Sequence, residues 1–232
     1  MDRIARPVFR NLMAVGALVL LGFALPSQAA MITTLYNTGV DGSGNVLADG
    51  TSPDPHYALI SVPSGSSTTT SVITSTGGFP VGPWLGDSAS SAWIGPSGER
   101  GDSVPLGGLY TFRTTFDLTG FNPGTAQISG NWSTDNSGYQ ILINGAPASQ
   151  TFMPTGFTAY TAFAIASGFV AGLNTLDFVV LNFDQDTGNP VGLRVEMTGT
   201  ASPVPLPAAA WLLLSGLVGF AALGRRRAET NA

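Results

Sequence analysis

The residues able to do chemistry are few and scattered. His56 is the single histidine, with Asp54 two places before it in "SPDPHYALI". An imidazole beside a carboxylate suggests a general base, but a triad needs a nucleophile as its third member, and the chain has no G-x-S-x-G pattern. We therefore assign no catalytic residue and expect His56 to make local hydrogen bonds where a loop meets a strand. Oxygen-bearing side chains recur at Asp41, Ser43 and Asn45, the alternation that a hard cation requires. This loop begins like an EF-hand, yet Ser52 stands at the twelfth position, where a closing glutamate belongs. Asp184, Asp186 and Asn189 in "NFDQDTGNP" form a second oxygen cluster. Those six residues are the candidate calcium ligands, set against the commoner use of Asp and Asn as turn formers. Trp84, Trp93, Trp132 and Tyr139 are candidate faces for stacking a sugar ring, the alternative being burial in the core. Calcium apart, no cofactor is expected.

Composition narrows the classes. No cysteine is present, which excludes disulfides, thiolate metal sites and cysteine nucleophiles. Only 10% of the 232 residues are charged against 44% hydrophobic, with 30 Gly and 16 Pro. That balance suits an exported all-β protein with many turns better than a helical cytosolic enzyme. Every basic residue is arginine, and six of the nine sit at the ends: Arg3, Arg6 and Arg10, then Arg225, Arg226 and Arg227. Between residues 30 and 203, three arginines stand against twelve acids, a balance of −9. Such a body repels phosphates and anionic lipid, so nucleic acid is excluded as a partner, whereas divalent cations and neutral polymers are not.

The elements that must position these residues are strands. "LYTFRTTFDL" alternates Tyr110, Phe112, Thr114, Phe116 and Leu118 with polar residues, a period of two. "TAQISGNWS" is expected to pair with "GYQILING", where Asn144-Gly145 is a turn dipeptide. "NTLDFVVLNF" predicts a strand buried on both faces in its middle. In "VGLRVEMTG" the alternation turns Leu193, Val195 and Met197 inward and Arg194 and Glu196 toward water. No amphipathic helix of ordinary length stands out between residues 31 and 200. The expected class is all-β, an antiparallel β-sandwich of jelly-roll type, flanked by an N-terminal signal helix and a C-terminal transmembrane helix. The ectodomain spans 30–200. Within it, the Ser/Thr/Gly-rich part at 31–105 is expected to form long loops packed on the jelly-roll-like part at 106–200.

The two ends have opposite geometry. Residues 1–29 read as a signal peptide: a basic start, the apolar "LMAVGALVLLGFAL", then small residues at Ser27 and Ala29 for cleavage after Ala29, with Ala30 the alternative. At the other end, Ala208 to Leu223 is uncharged and apolar, about 24 Å as a helix, slightly less than a ~30 Å hydrocarbon core. The arginines after it mark the cytoplasmic side, which leaves the body outside the inner membrane. Pro205 and Pro207 hold the preceding chain extended, the form that a peptidase accepts.

Val204-Pro205-Leu206-Pro207-Ala208, an apolar helix and Arg225-Arg226-Arg227, in that order, resemble the PEP-CTERM class of bacterial sorting signals in its VPLPA variant. Leu206 stands where the most familiar form has Glu. The resemblance covers residues 201–232, with transmembrane helix 208–223. It implies two processing partners, a signal peptidase and an exosortase-type enzyme that cuts near the proline motif. It also implies a transient stay in the inner membrane, then release or transfer to the cell surface or extracellular matrix, in association with surface polysaccharide. The run "NWSTDNSGYQILINGAPA" followed by "FVAGLNTLDFVVLN" resembles galactose-binding-like jelly rolls, with an "NG" hairpin and a G-x-N-x-L lead into a long strand. The expected role is a non-enzymatic structural or adhesive component. A carbohydrate-binding module is the alternative, and a secreted hydrolase is disfavoured by the lone histidine.

Overall fold

A computed structural model describes residues 28–73, 83–98, 106–149, 156–183 and 189–205, with Leu213, Gly216 and Leu217 beyond them. The chain divides into two units, Ser27–Val204 and the end segments Met1–Pro26 with Pro205–Ala232. Of the second unit little is described: Leu213, Gly216 and Leu217 are helical, and both leucines are exposed. Among the described residues no helix is long and apolar enough to cross a membrane. The expected signal helix, and most of the expected 208–223 helix, lie outside the described residues.

The unit Ser27–Val204 is all-β, built from two antiparallel sheets packed as a sandwich. Its strands are β1 (Ala30–Met31), β2 (Ala58–Ser61), β3 (Ser71–Val72), β4 (Ile94–Gly95), β5 (Gly108–Asp117), β6 (Gln127–Asp135), β7 (Ser137–Ile143), β8 (Ala146–Ser149), β9 (Thr161–Ile165), β10 (Leu173–Asn182) and β11 (Gly192–Ala201). One sheet runs β3-β4-β11-β6-β9, with β1 also on β11; the other runs β2-β5-β10-β7-β8. The part at 31–105 thus adds short strands to both sheets. The 3-10 turn Pro123–Thr125 lies between β5 and β6.

Period-two patterning explains the long strands. On β5, Tyr110, Phe112, Thr114 and Phe116 are buried while their neighbours are not. On the facing sheet, Ile128 and Trp132 of β6 and Leu193, Val195 and Met197 of β11 turn the same way, inward. At the centre Phe178 of β10 meets Trp132 (5.8 Å between centroids), Phe163 (5.7 Å, edge-on) and Tyr57 (6.4 Å). Asn144 and Gly145 take φ of +50° and +80°, the left-handed pair that a two-residue hairpin needs, and join β7 to β8.

The expected pairing of 125–133 with 138–145 does not form. A single residue, Asn136, separates β6 from β7, too few to fold one strand back on the other. The chain turns a corner there instead: β6 pairs β11 and β9 in one sheet, and β7 pairs β10 and β8 in the other.

The last strand, β11, lies in the middle of its sheet. Its whole length pairs with β6. Its other edge is filled in pieces: β4 at Leu193, Thr38 at Val195, the Asn37 side chain at the Met197 N–H, the Ile32 N–H at the Gly199 carbonyl, and β1 at Thr200 and Ala201.

Replacing Phe178 by Ala should cost about 3–5 kcal/mol, the usual result of emptying a buried aromatic site. Urea unfolding at neutral pH checks this, and a loss below about 1 kcal/mol would mean that the three rings do not pack on Phe178.

Candidate functional site

The polar groups concentrate on the outer face of the six-stranded sheet, beneath the connection at 83–93. Alternation puts Gly192, Arg194 and Glu196 of β11 on this face, with Ser133 and Asp135 of β6 beside them in register. Arg194 does not face water. It is 1% exposed, because the chain at 85–91 and the segment around Tyr160 lie across it. The guanidinium donates to Ser91 Oγ (2.8 Å), to the carbonyls of Leu85 and Gly86, and to Glu196 Oε1 (3.3 Å), and it sits 5.1 Å from the centre of the Tyr160 ring. A buried cation is tolerated only when paired and bonded in this way.

Glu196 Oε1 also accepts from Ser88 (2.6 Å), Ser91 (2.7 Å) and Ser90 (3.1 Å). Burial is the largest single influence on this carboxyl and pushes it up. The bonds from Ser88, Ser91, Tyr160 and Ser90 together outweigh it, and the group is held down at about 2. A carboxylate that reluctant to take a proton is a poor base near neutral pH, so the three serine hydroxyls are held by Glu196 rather than activated by it.

Next to this cluster Trp84 and Trp93 pack on each other, 4.3 Å between ring centroids, and over the bare backbone of Gly192, where a Cβ would come within 2.6 Å of the Trp84 ring. With Ile73, Leu85 and Phe157 they form a second small core outside the sheet. The Trp93 indole N–H donates to the Leu85 carbonyl (2.7 Å), and the Trp84 indole bonds the Asp135 carboxylate. Asp135 is 3% exposed. Burial pushes it up to about 7, against the Trp84 and Asn136 bonds that favour its ionised form. Asn136 at the corner donates to Asp135 (2.7 Å), and its carbonyl accepts from the Phe183 N–H and the Asn189 amide. These bonds tie together the end of the sandwich where β6, β7 and β10 meet. Sequence reading missed both clusters: Asp135-Asn136 looks like an ordinary turn, and nothing local marks Arg194 as covered.

The sites expected from sequence are placed as follows. Trp84, Trp93 and Trp132 are 5%, 3% and 0% exposed, so none offers a face to a sugar; the second small core takes two of them and the main core the third. Tyr139 is open, at 48%. In the 41–45 loop, Asp41 Oδ1 accepts the N–H groups of Ser43 (2.8 Å) and Asn45 (2.9 Å), and the Asn45 amide N–H₂ also points at the carboxylate. This is a self-closed turn, with an amide donor where a cation would need another oxygen. These bonds hold the Asp41 carboxyl below its ordinary value. Asn189 is committed to the Asn136 corner, and Asp184 and Asp186 lie outside the described residues. Among the described residues no three His, Asp or Glu side chains group as a metal site.

His56 stacks flat on Tyr36 at 3.6 Å, while its backbone N–H and that of Tyr57 donate to the buried Asp54 carboxylate, which also takes the Gly39 N–H. Asp54 thus closes a loop, and burial raises its carboxyl above the ordinary value. Of the residues expected to form the two processing signals, Ala29 and Val204 are exposed and Pro205 is described; Ser27, Leu206, Pro207, Ala208, Arg225, Arg226 and Arg227 lie outside the described residues. No protein-family model matches this chain, and no curated protein matches it in sequence.

The half-buried Glu196 and the buried Asp135 act oppositely on stability. Glu196, lowered on folding, stabilises the fold above the unfolded value of about 4.3, and this is lost as pH falls toward 2. Asp135, raised on folding, ionises in the unfolded chain from about pH 3.9, so its effect lowers stability as pH climbs from there to about 7. Asp135→Asn should therefore match the wild type near pH 4 and exceed it at pH 8 by an amount on the order of a few kcal/mol. Denaturant midpoints across that range measure this, and parallel curves for the two proteins would contradict it.

Proposed function

We propose that this is an exported, non-enzymatic surface protein: a sandwich of jelly-roll type between a removable signal peptide and an exosortase-type sorting tag. Its role is structural or adhesive, in association with extracellular polysaccharide. The order of strands supports the jelly-roll description. From β4 onward the chain deals β4, β11, β6 and β9 to one sheet and β5, β10, β7 and β8 to the other, each set in that spatial order.

The observation that carries the export reading is where the two ends of the body lie. Ala30, the first residue after the expected signal cleavage, pairs with Ala201 on β11, and the chain leaves the body at Val204, which is 55% exposed. Both ends thus issue side by side from one end of the sandwich, as suits a body flanked by two membrane-directed segments. The arginines after residue 223 set the orientation of the intermediate, body outside and C-terminus cytoplasmic.

A second reading, a carbohydrate-binding module, is favoured by Tyr139, the one open ring among the four aromatic candidates. It stands at the bulge of β7 on the five-stranded sheet, whose outer face also presents the bidentate Arg113–Asp177 pair (2.6 and 2.7 Å).

Mass spectrometry of the mature protein from its host tests the main reading. We expect an N-terminus at Ala30 and a C-terminus within 204–208; an intact Arg225–Arg227 tail in the membrane fraction would establish a permanent anchor instead. For the second reading, the protein should be retarded in gels containing a neutral polysaccharide, and Tyr139→Ala should abolish the effect. Equal mobility of the two proteins would refute it.

A further inference from the structure

The chain between β11 and the proline motif is not free, and we propose that the β5–β6 connection is a clasp that sets the C-terminal limit of proteolytic trimming at Val204. Beyond Ala201 the chain runs antiparallel to residues 120–122. The Ser202 carbonyl accepts the Asn122 N–H (2.8 Å), Pro203 bridges Phe121, and the Val204 N–H donates to the Gly120 carbonyl (2.8 Å). On the other side the Ser202 N–H donates to Thr125 Oγ1 (2.9 Å). The connection is itself braced: the Thr125 hydroxyl donates to the Asn122 carbonyl (2.8 Å), and the Asn122 side chain caps the Gly124 N–H (3.0 Å) at the 3-10 turn. Just upstream, Ala201 is fully buried and paired with Ala30.

A peptidase takes its substrate as an extended strand and bonds the backbone on both sides of the scissile amide. The groups of Ser202 and Val204 that it needs are already engaged, so an amide upstream of Val204 is reached only after the clasp opens. Pro205 has no N–H to extend the pairing. Hydrolysis on that side adds one water across the amide, leaving a carboxylate on the sandwich and a free amine on the released piece. Among the described residues, paired backbone begins at Ala30 and ends at Val204, which are also the two processing boundaries expected from the sequence. The biological use of this coincidence rests on the sorting reading; the clasp itself does not.

The test separates the two. Full-length protein is treated with a broad-specificity protease, proteinase K, and the limit products are weighed. The wild type should stop with Val204 retained. Thr125→Val, which leaves the cleaved sequence and its prolines unchanged, should lose Val204 roughly tenfold faster, the worth of about one hydrogen bond, and give new ends at Ala201 or Ser202. Equal rates and equal ends in the two proteins, or wild-type trimming that runs past Val204 without pause, would overturn the clasp. If Thr125→Val fails to fold, amide exchange of wild-type Val204 decides: protection supports the clasp, and exchange at the rate of a free peptide overturns it. A Val204 limit in this assay, with an intact tail on the host's own protein, would keep the clasp and remove the sorting reading.

Discussion

The structure depends on β11 occupying the middle of the six-stranded sheet although it is the last strand to be made. Its inward residues Leu193, Val195 and Met197 form much of one wall of the core, and its backbone is the common edge for β6, β4, β1 and the 32–38 segment. Without residues 192–201, β1 and the 32–38 segment lose their strand partner, and β4 and β6 keep only β3 and β9. The pairing is non-local in the extreme, Ala30 with Ala201, so closing the sheet carries a large loop-closure cost. The bonds of Ser202 and Val204 to the β5–β6 connection follow directly after β11.

The same strand explains why a charged cluster is buried outside the sheet. Arg194 binds the carbonyls of 85–86 and the hydroxyl of Ser91, all from a connection that is also held by Trp84, Trp93 and the serine bonds to Glu196. A buried ion pair contributes little net stability, because desolvation offsets attraction. Its effect is to fix one position for a long connection. That fixed connection in turn covers Asp135, whose carboxyl is kept from ionising easily by the burial it receives. Arg194, Asp135 and the tryptophan pair therefore form one seam that holds the 83–93 connection on the sheet.

Much of the fold was legible in the chain. The alternation at 110–118, the Asn144-Gly145 turn, and a strand around 173–182 buried on both faces all reflect local rules, period two and left-handed φ, that short windows contain. The G-x-N-x-L lead has a local reason too: Asn174 is fully buried and bonds Val170 and Gly172 of its own loop and Asn144 of the neighbouring turn. What the sequence hid was non-local. Alternation shows that Arg194 points away from the core, but not that a stretch a hundred residues earlier covers it. For Trp84 and Trp93 the sequence left a stacking face and burial both open, because the segment that encloses them is also distant in the chain. The corner at Asn136 was missed because two adjacent strands suggest a hairpin unless the single linking residue is weighed. For the candidate site, the Asp41 loop carries the right residue types for a cation, and only its bonds reveal that they close on themselves.

The claim that the sandwich is closed by its last strand is tested most directly by native-state amide hydrogen exchange on the full-length protein. The Val195 and Met197 amides of β11 should exchange only with global unfolding, at the same free energy as the central amides of β10. Exchange of the β11 amides through a separate opening, well below the energy at which β10 opens, would contradict the account.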